Sequence, residues 1–280
     1  MGDPGAAFDG ASQVAEATSR RGVAQLRRTW KATQPVGSAL ILHGISEHSG
    51  RYEHVGSTFA EAGFSAYAFD HHGHGRSGGV RGHVDSFDVF LEDVEDNLVA
   101  LRRDGLPVVL LAHSMGGLIA LRYCLSGRPL PDALLLSGPA IDASTPRWQR
   151  LAAPLVGRVR PKFFIKSEFD GALLSSDPDV GARYSGDPLR VPGATARLGL
   201  ELFEAMEFVK ENLAELSVPT MLIHGADDQI VPPSFTEPIG ELSIATRRVL
   251  IDHAHEVLNE PTWEESMKSY INFSKGVLGL

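Results

Sequence analysis

The chain has 280 residues, 43% of them hydrophobic, and a formal net charge of -9. That length suits one α/β domain carrying an insertion. The acidic balance, with no basic run standing out, argues against a general nucleic-acid binder. No run of about 18 apolar residues exists to span a membrane. The single cysteine, Cys124, excludes an intrachain disulfide framework and fits a reducing compartment.

Residues 1–20 carry early acid and no apolar core, so they read as a flexible arm and not as a secretory signal. A cytoplasmic location is the expectation. "SALILHGI" (Ser38 to Ile45) and "FSAYAFDHHG" (Phe64 to Gly73) then read as short strands ending in glycine-containing turns. A helix follows in "SFDVFLEDVEDNLVALRRD", where Phe87, Phe90, Leu91, Val94, Leu98 and Leu101 recur at three and four, with Asp85 or Ser86 able to cap its start.

"PVVLLAHS" (Pro107 to Ser114) is another strand, and it runs directly into the apolar helix "GGLIALRYCL". Ser114 sits at the corner, in Ala112-His113-Ser114-Met115-Gly116. This is the G-x-S-x-G elbow with alanine at its first position; the pattern needs small residues because strand and helix backbones pass closely there. A sharp turn strains the backbone, and such strain is tolerated at functional sites. A serine hydroxyl does not ionise appreciably near neutral pH. To act as a nucleophile it needs a histidine base, and that histidine needs a carboxylate to orient it.

"DALLLSGPA" (Asp132 to Ala140) is the next strand. From Asp142 to Leu216 the rhythm breaks. Six prolines punctuate the segment up to Pro192, and its last part is helical, with Leu202, Met206, Val209, Leu213 and Leu216 forming an apolar stripe. An insertion placed after a strand that ends beside the expected site reads as a lid in preference to decoration.

"PTMLIHGADD" (Pro219 to Asp228) and "TRRVLIDHAH" (Thr246 to His255) complete the strands, and "PTWEESMKSYINFSKGVL" closes the chain as a helix. Short apolar runs with little alternation fit strands buried on both faces of a mostly parallel sheet. The expected architecture is the α/β-hydrolase fold, with its core over 21–141 and 217–280 and a helical cap over 142–216. In that fold the order is Ser, acid, His. Asp228 is favoured over Asp227 because "QIV" follows it, and His255 over His253 because it opens "HEVLNEP". Two backbone donors are needed for the oxyanion: the N–H of Met115 and, from the loop "HGISEH", that of Ile45.

The 11 histidines include His43, His48, His71, His72 and His74, but no H-E-x-x-H spacing or cysteine pair accompanies them. No phosphate-binding or dinucleotide fingerprint is present either, so no metal and no cofactor is implied. Cys124 lies in the helix after Ser114 and reads as a small buried residue.

The blocks "HGISEHSGRYEHV", "DHHGHGRSGGVRGHVDSF", "AHSMGG", "GADDQIVPP" and "HEVLNE" recur in order from about His43 to Glu260. Together they resemble the monoacylglycerol lipase family of α/β-hydrolases, with its lysophospholipase-like members; Ala112, in place of the usual glycine, is a departure. The resemblance implies Ser114 as nucleophile, Asp228 and His255 as partners, and Ile45 and Met115 as oxyanion donors. It also implies a mobile cap that covers a long acyl pocket and contacts membranes peripherally. The expected reaction is hydrolysis of monoacylglycerols or similar single-chain lipid esters through an acyl-enzyme. The alternatives are a carboxylesterase for small or medium-chain esters, a lysophospholipase, and a catalytically silent scaffold. Glu47, two residues after Ile45, is expected near the mouth of the site, where its carboxylate could accept hydrogen bonds from glycerol hydroxyls. The other reading of Glu47 is a structural pair with Arg51, four residues on. Oligomeric state is left open.

Overall fold

The computed structural model describes residues 12–144, 147–167, 169–250 and 252–280. Its strands are β1 (Gln13–Thr18), β2 (Ala24–Trp30), β3 (Gly37–Leu42), β4 (Phe64–Phe69), β5 (Val108–His113), β6 (Ala133–Ser137), β7 (Phe164–Lys166), β8 (Gly193–Thr195), β9 (Thr220–Gly225) and β10 (Ala245–Leu250). Its helices are α1 (Glu53–Glu61), α2 (Asp88–Leu101), α3 (Met115–Cys124), α4 (Arg147–Val159), α5 (Pro178–Gly186), α6 (Ala196–Asn212), α7 (Glu237–Gly240) and α8 (Trp263–Leu278).

Among the described residues, eight strands form one sheet in the order β1-β2-β4-β3-β5-β6-β9-β10. From β4 to β10 all neighbours pair in parallel, while β1 and β2 add antiparallel at one edge. Side chains alternate between faces, and both faces of the central strands are covered. Leu40, Leu42 and Leu110 pack with Phe90, Leu118 and Val209 on one side. Ile41, Val109 and Leu111 pack with Phe59, Met221 and Tyr270 on the other. That double burial explains why these strands read as unbroken apolar runs. β10 differs: it is the edge strand beside β9, and none of its residues is fully buried.

The expected arm is only partly an arm. Residues 1–11 lie outside the described residues, but Gln13–Thr18 forms β1, paired antiparallel from Gln13↔Thr29 to Thr18↔Ala24. "QVAEAT" hides its strand character because it is almost wholly exposed and leans on backbone pairing. Helix α2 begins at Asp88, and of the two expected caps Ser86 accepts the Asp88 N–H through Oγ at 3.3 Å. The Phe87 N–H donates to the Glu201 carboxylate of α6 at 2.6 Å, so a tertiary contact also holds that end.

Among the described residues between Asp142 and Leu216 no strand joins the main sheet, and β7 and β8 pair with each other. Helix α6 is built into the core, with Leu198, Met206 and Val209 buried alongside Leu118 and Leu121 of α3. The Arg122 guanidinium of α3 lies 3.5 Å from the centre of the Phe208 ring. Helix α4 packs on α6 at Gly157, where a Cβ would come within 2.9 Å of the Leu200 side chain.

Candidate active site

The parallel sheet brings the ends of β3, β5, β9 and β10 to one side, and the site is assembled in the loops beyond them. Ser114 links β5 to α3 with φ 51° and ψ -116°, a left-handed conformation that a residue with a Cβ adopts only under constraint. The constraint is visible in its hydrogen bonds. The Ser114 N–H donates to Ser137 O at 3.0 Å, and Ser114 O accepts from Ala140 N–H at 3.0 Å. Gly116 is required by contact: a Cβ there would sit 2.6 Å from Leu42 O and 2.7 Å from His43 O, both backbone atoms. Ala112 is accommodated in the buried end of β5.

The Ser114 hydroxyl donates to His255 Nε2 at 3.0 Å, and His255 Nδ1–H donates to Asp228 Oδ2 at 2.7 Å. All three residues are buried. Asp228 is held by more than His255. Its Oδ2 also accepts from His224 Nε2 at 2.9 Å, and its Oδ1 accepts the N–H groups of Ile230 and Val231 at 2.9 and 2.8 Å. Burial alone would raise the Asp228 carboxyl, but the hydrogen bonds from His224 and His255 outweigh it and hold the group well below the usual carboxylate range. The alternatives considered from sequence lie elsewhere. Asp227 is exposed, and His253 is only half-buried and meets Thr262 Oγ1 through its Nε2 at 2.9 Å.

His224 escaped the sequence reading because it stands inside the apolar strand "TMLIHG"; its spacing of four from Asp228 was the available signal. Arg51 and Glu256 escaped it as a pair. The Arg51 guanidinium grips Glu256 through two bonds of 2.6 and 2.7 Å, right beside His255. Glu256 N–H donates to Leu174 O at 2.7 Å, and Glu260 accepts from the Ala254 N–H and from Ser176 Oγ at 2.6 Å. The His255 loop is thus pinned on both sides. His113, whose ring lies 4.7 Å from that of His255, is pushed down to about 3 by burial and by that neighbour, so it stays neutral.

The loop after β3 reaches the serine from the other side. A Cβ on Gly44 would lie 3.1 Å from Ser114 Cβ. Among the described residues no acceptor takes the N–H of Ile45 or of Met115. Met115 opens α3, where first-turn donors have no intrahelical partner and the helix dipole favours negative charge. Glu47 does not stand at the mouth as expected. It is 3% exposed, and its carboxylate accepts from the Gly44 N–H, from the Tyr52 hydroxyl at 2.9 Å and from Arg51 at 3.1 Å. Both of its oxygens are engaged by protein groups, and the pair with Arg51 is formed. Burial raises the Glu47 carboxyl against the pull of Arg51.

Comparison with known proteins assigns the chain to a family. A family model described as serine aminopeptidase, S33, matches residues 33–262. The chain belongs to this family. Monoacylglycerol lipase of Mycolicibacterium smegmatis is 34% identical over 251 residues, covering 82% of this chain and 84% of that protein. Human monoglyceride lipase is 32% identical over 245 residues, covering 83% and 80%. The crystal structure of Paleococcus ferrophilus monoacylglycerol lipase superimposes with a TM-score of 0.82 at 30% identity, covering 90% of this chain and 98% of that one. The chain is an α/β-hydrolase.

Proposed function

We propose that the chain hydrolyses esters of single-chain lipids, monoacylglycerols foremost, with Ser114, His255 and Asp228 as its triad. The observation that carries this reading is the continuous relay from Ser114 Oγ through His255 to Asp228. In the proposed reaction His255 takes the hydroxyl proton as Ser114 Oγ attacks the ester carbonyl. Asp228, kept ionised by its four donors, steadies the imidazolium. The N–H groups of Ile45 and Met115 receive the oxyanion. His255 then protonates the departing alcohol, leaving an acyl-enzyme that water cleaves by the same steps in reverse roles.

The family description names an aminopeptidase, but the residues favour an ester. An aminopeptidase needs an available carboxylate to hold its substrate's ammonium group. Glu47 and Glu256, two acids beside this site, are both engaged by Arg51. The named relatives are lipases of monoacylglycerols. The outer face of the cap fits a lipid surface. Leu155 and Val159, one helical turn apart on α4, are each 69% exposed, and Phe163, Phe164 and Ile165 further along the segment are exposed as well. From Arg147 to Lys166 the chain has six cations and no acid. The cations are interleaved with apolar residues, which is why no basic run shows in the sequence.

The test is turnover of purified protein on acylglycerols and p-nitrophenyl esters of increasing length, beside Ser114→Ala. Each methylene buried in an acyl channel is worth roughly 0.8 kcal/mol, so kcat/KM should climb steeply with chain length. Ser114→Ala should lose turnover and fluorophosphonate labelling while keeping its fold. A flat profile from short to long esters would favour a small-ester esterase, and an active Ser114→Ala would remove the triad reading.

A further inference from the structure

We infer that His43 is a positioning residue for the oxyanion hole: its imidazole, locked in one tautomer, orients the Gly44–Ile45 peptide so that the Ile45 N–H faces the nucleophile. The inference rests on the proposed role of Ile45 as an oxyanion donor.

His43 closes the end of β3 and is buried. Its Nε2 receives the backbone N–H of His71 at 2.9 Å. A donor can meet that atom only at a lone pair, so the neutral ring carries its proton on Nδ1. Nδ1–H in turn donates to Gly44 O at 2.8 Å. A trans peptide is planar, with its carbonyl and the following N–H pointing to opposite sides. Turning Gly44 O back toward the His43 ring therefore turns the Ile45 N–H away from it.

The neighbouring backbone groups are secured from the same side. His71 Nε2–H donates to His43 O at 3.0 Å, and the Gly44 N–H donates to the Glu47 carboxylate. Of the polar groups from His43 O to Ile45 N, the one with no acceptor or donor among the described residues is the Ile45 N–H. Burial, helped by the nearby His74 ring, holds His43 well below the usual histidine range. Protonating Nε2 would set two donors against each other at the His71 contact. A ring that merely filled space would need neither the fixed tautomer nor this chain of bonds.

His43→Leu keeps most of the volume and removes the donor; His43→Asn retains a short donor. His74→Leu is the packing control. Its ring lies 5.8 Å from that of His43, but its Nδ1–H donates to His72 O and no bond runs to the oxyanion loop. Removing one oxyanion donor costs on the order of 10²–10³ in kcat. His43→Leu should approach that loss with KM nearly unchanged. Its affinity for a trifluoromethyl ketone, whose hemiketal oxygen occupies the hole, should fall in parallel. His43→Asn should regain part of both, and His74→Leu should lower the melting temperature without the kcat loss. Equal kcat loss in His74→Leu, or undiminished ketone affinity in His43→Leu, would overturn the inference. Nitrogen-15 NMR of the wild-type chain should show the Nδ1–H tautomer of His43 unchanged from pH 5 to 9, a readout that survives misfolding of any variant; an Nε2–H tautomer or a titrating ring would also overturn it. A wild-type chain that fluorophosphonate does not label at Ser114 would sink the hydrolase reading and this inference with it. A labelled wild type with a fully active His43→Leu would sink the positioning role alone.

Discussion

Replacing Arg51 with methionine would strand two buried carboxylates at once. The guanidinium is 13% exposed, with Glu47 and Glu256 at 3% and 4%, so solvent has little access to any of the three groups. Burial pushes Glu256 up, but Arg51 pulls it below its ordinary value. Removing one partner of a buried pair costs roughly 3–5 kcal/mol, because the remaining charge is uncompensated. For a chain of this size that is a fall of about 5–9 °C in melting temperature. The deficit should depend on pH. In the wild type the depressed Glu256 contributes stability above its unfolded value, which is lost as pH falls through the folded one. In Arg51→Met the Glu256 carboxyl rises above its unfolded value and Glu47, already raised in the wild type, rises further, so stability is retained in acid and lost as pH climbs. Urea melts followed by circular dichroism should show a small deficit near pH 5 and the full one at pH 8. Adding Glu256→Gln to the variant should recover part of it at pH 8. Equal deficits at both pH values, or a loss under about 1 kcal/mol, would refute the reasoning.

Asp93 of α2 is pushed up to about 7, chiefly by burial, with Arg21 opposing. A raised folded value means stability that is present in acid and lost as pH rises toward 7, so Asp93→Asn should gain on the order of 1–3 kcal/mol at pH 8 and almost nothing at pH 4 in paired melts. Gly116→Ala must part β3 from α3, and should cost roughly 1–3 kcal/mol and most of the Ser114 labelling rate; a stable, fully labelled variant would contradict the contact described. The double variant Leu155→Asp, Val159→Asp should release the protein from phospholipid vesicles in sedimentation while leaving hydrolysis of a dispersed four-carbon ester unchanged. Retained vesicle binding would show that this face is not the lipid-facing one. His224→Ala removes a donor to Asp228 Oδ2 and should lower kcat more than it raises KM, measured on one soluble ester.

Where a feature was local and doubly buried, the sequence displayed it. β3, β5, β6 and β9 are covered on both faces, so composition alone marked them. The elbow at Ser114 needs small residues at fixed offsets, and the choice of Asp228 over Asp227 rested on a turn whose N–H groups at 230 and 231 donate to Asp228 Oδ1. Exposed pairing was not displayed: β1 looks like any polar tail. Nor were contacts across long separations. Arg51 and Glu256 stand 205 residues apart, and no local pattern links them. Glu47 was misplaced for a related reason. Two residues from the proposed oxyanion donor Ile45 suggests the mouth of the site, but the loop turns over at Ser46, with φ 60°, and sends that side chain beneath it.

The inserted segment divides into two halves with different attachments. β8 and α6 are fastened to the core: Thr195 N–H donates to Gly82 O at 2.8 Å, Arg197 Nε–H to Asp85 O at 2.9 Å, and Phe87 N–H to Glu201. Asp187, just after α5, holds His48 Nε2 at 2.8 Å. Among the described residues, the backbone bonds of the α4–β7 half run to the insertion's own β8 and α6, as in Ala196 N–H to Phe163 O at 2.8 Å and Arg197 N–H to Pro161 O at 3.1 Å. Displacing that half would therefore leave the loops that carry His255 and Ile45 in place. Steady-state kinetics would register such a movement in substrate capture, as a lower KM and a shorter lag once an interface is supplied. The acylation and deacylation rates of an ester already bound would stay the same with or without that interface.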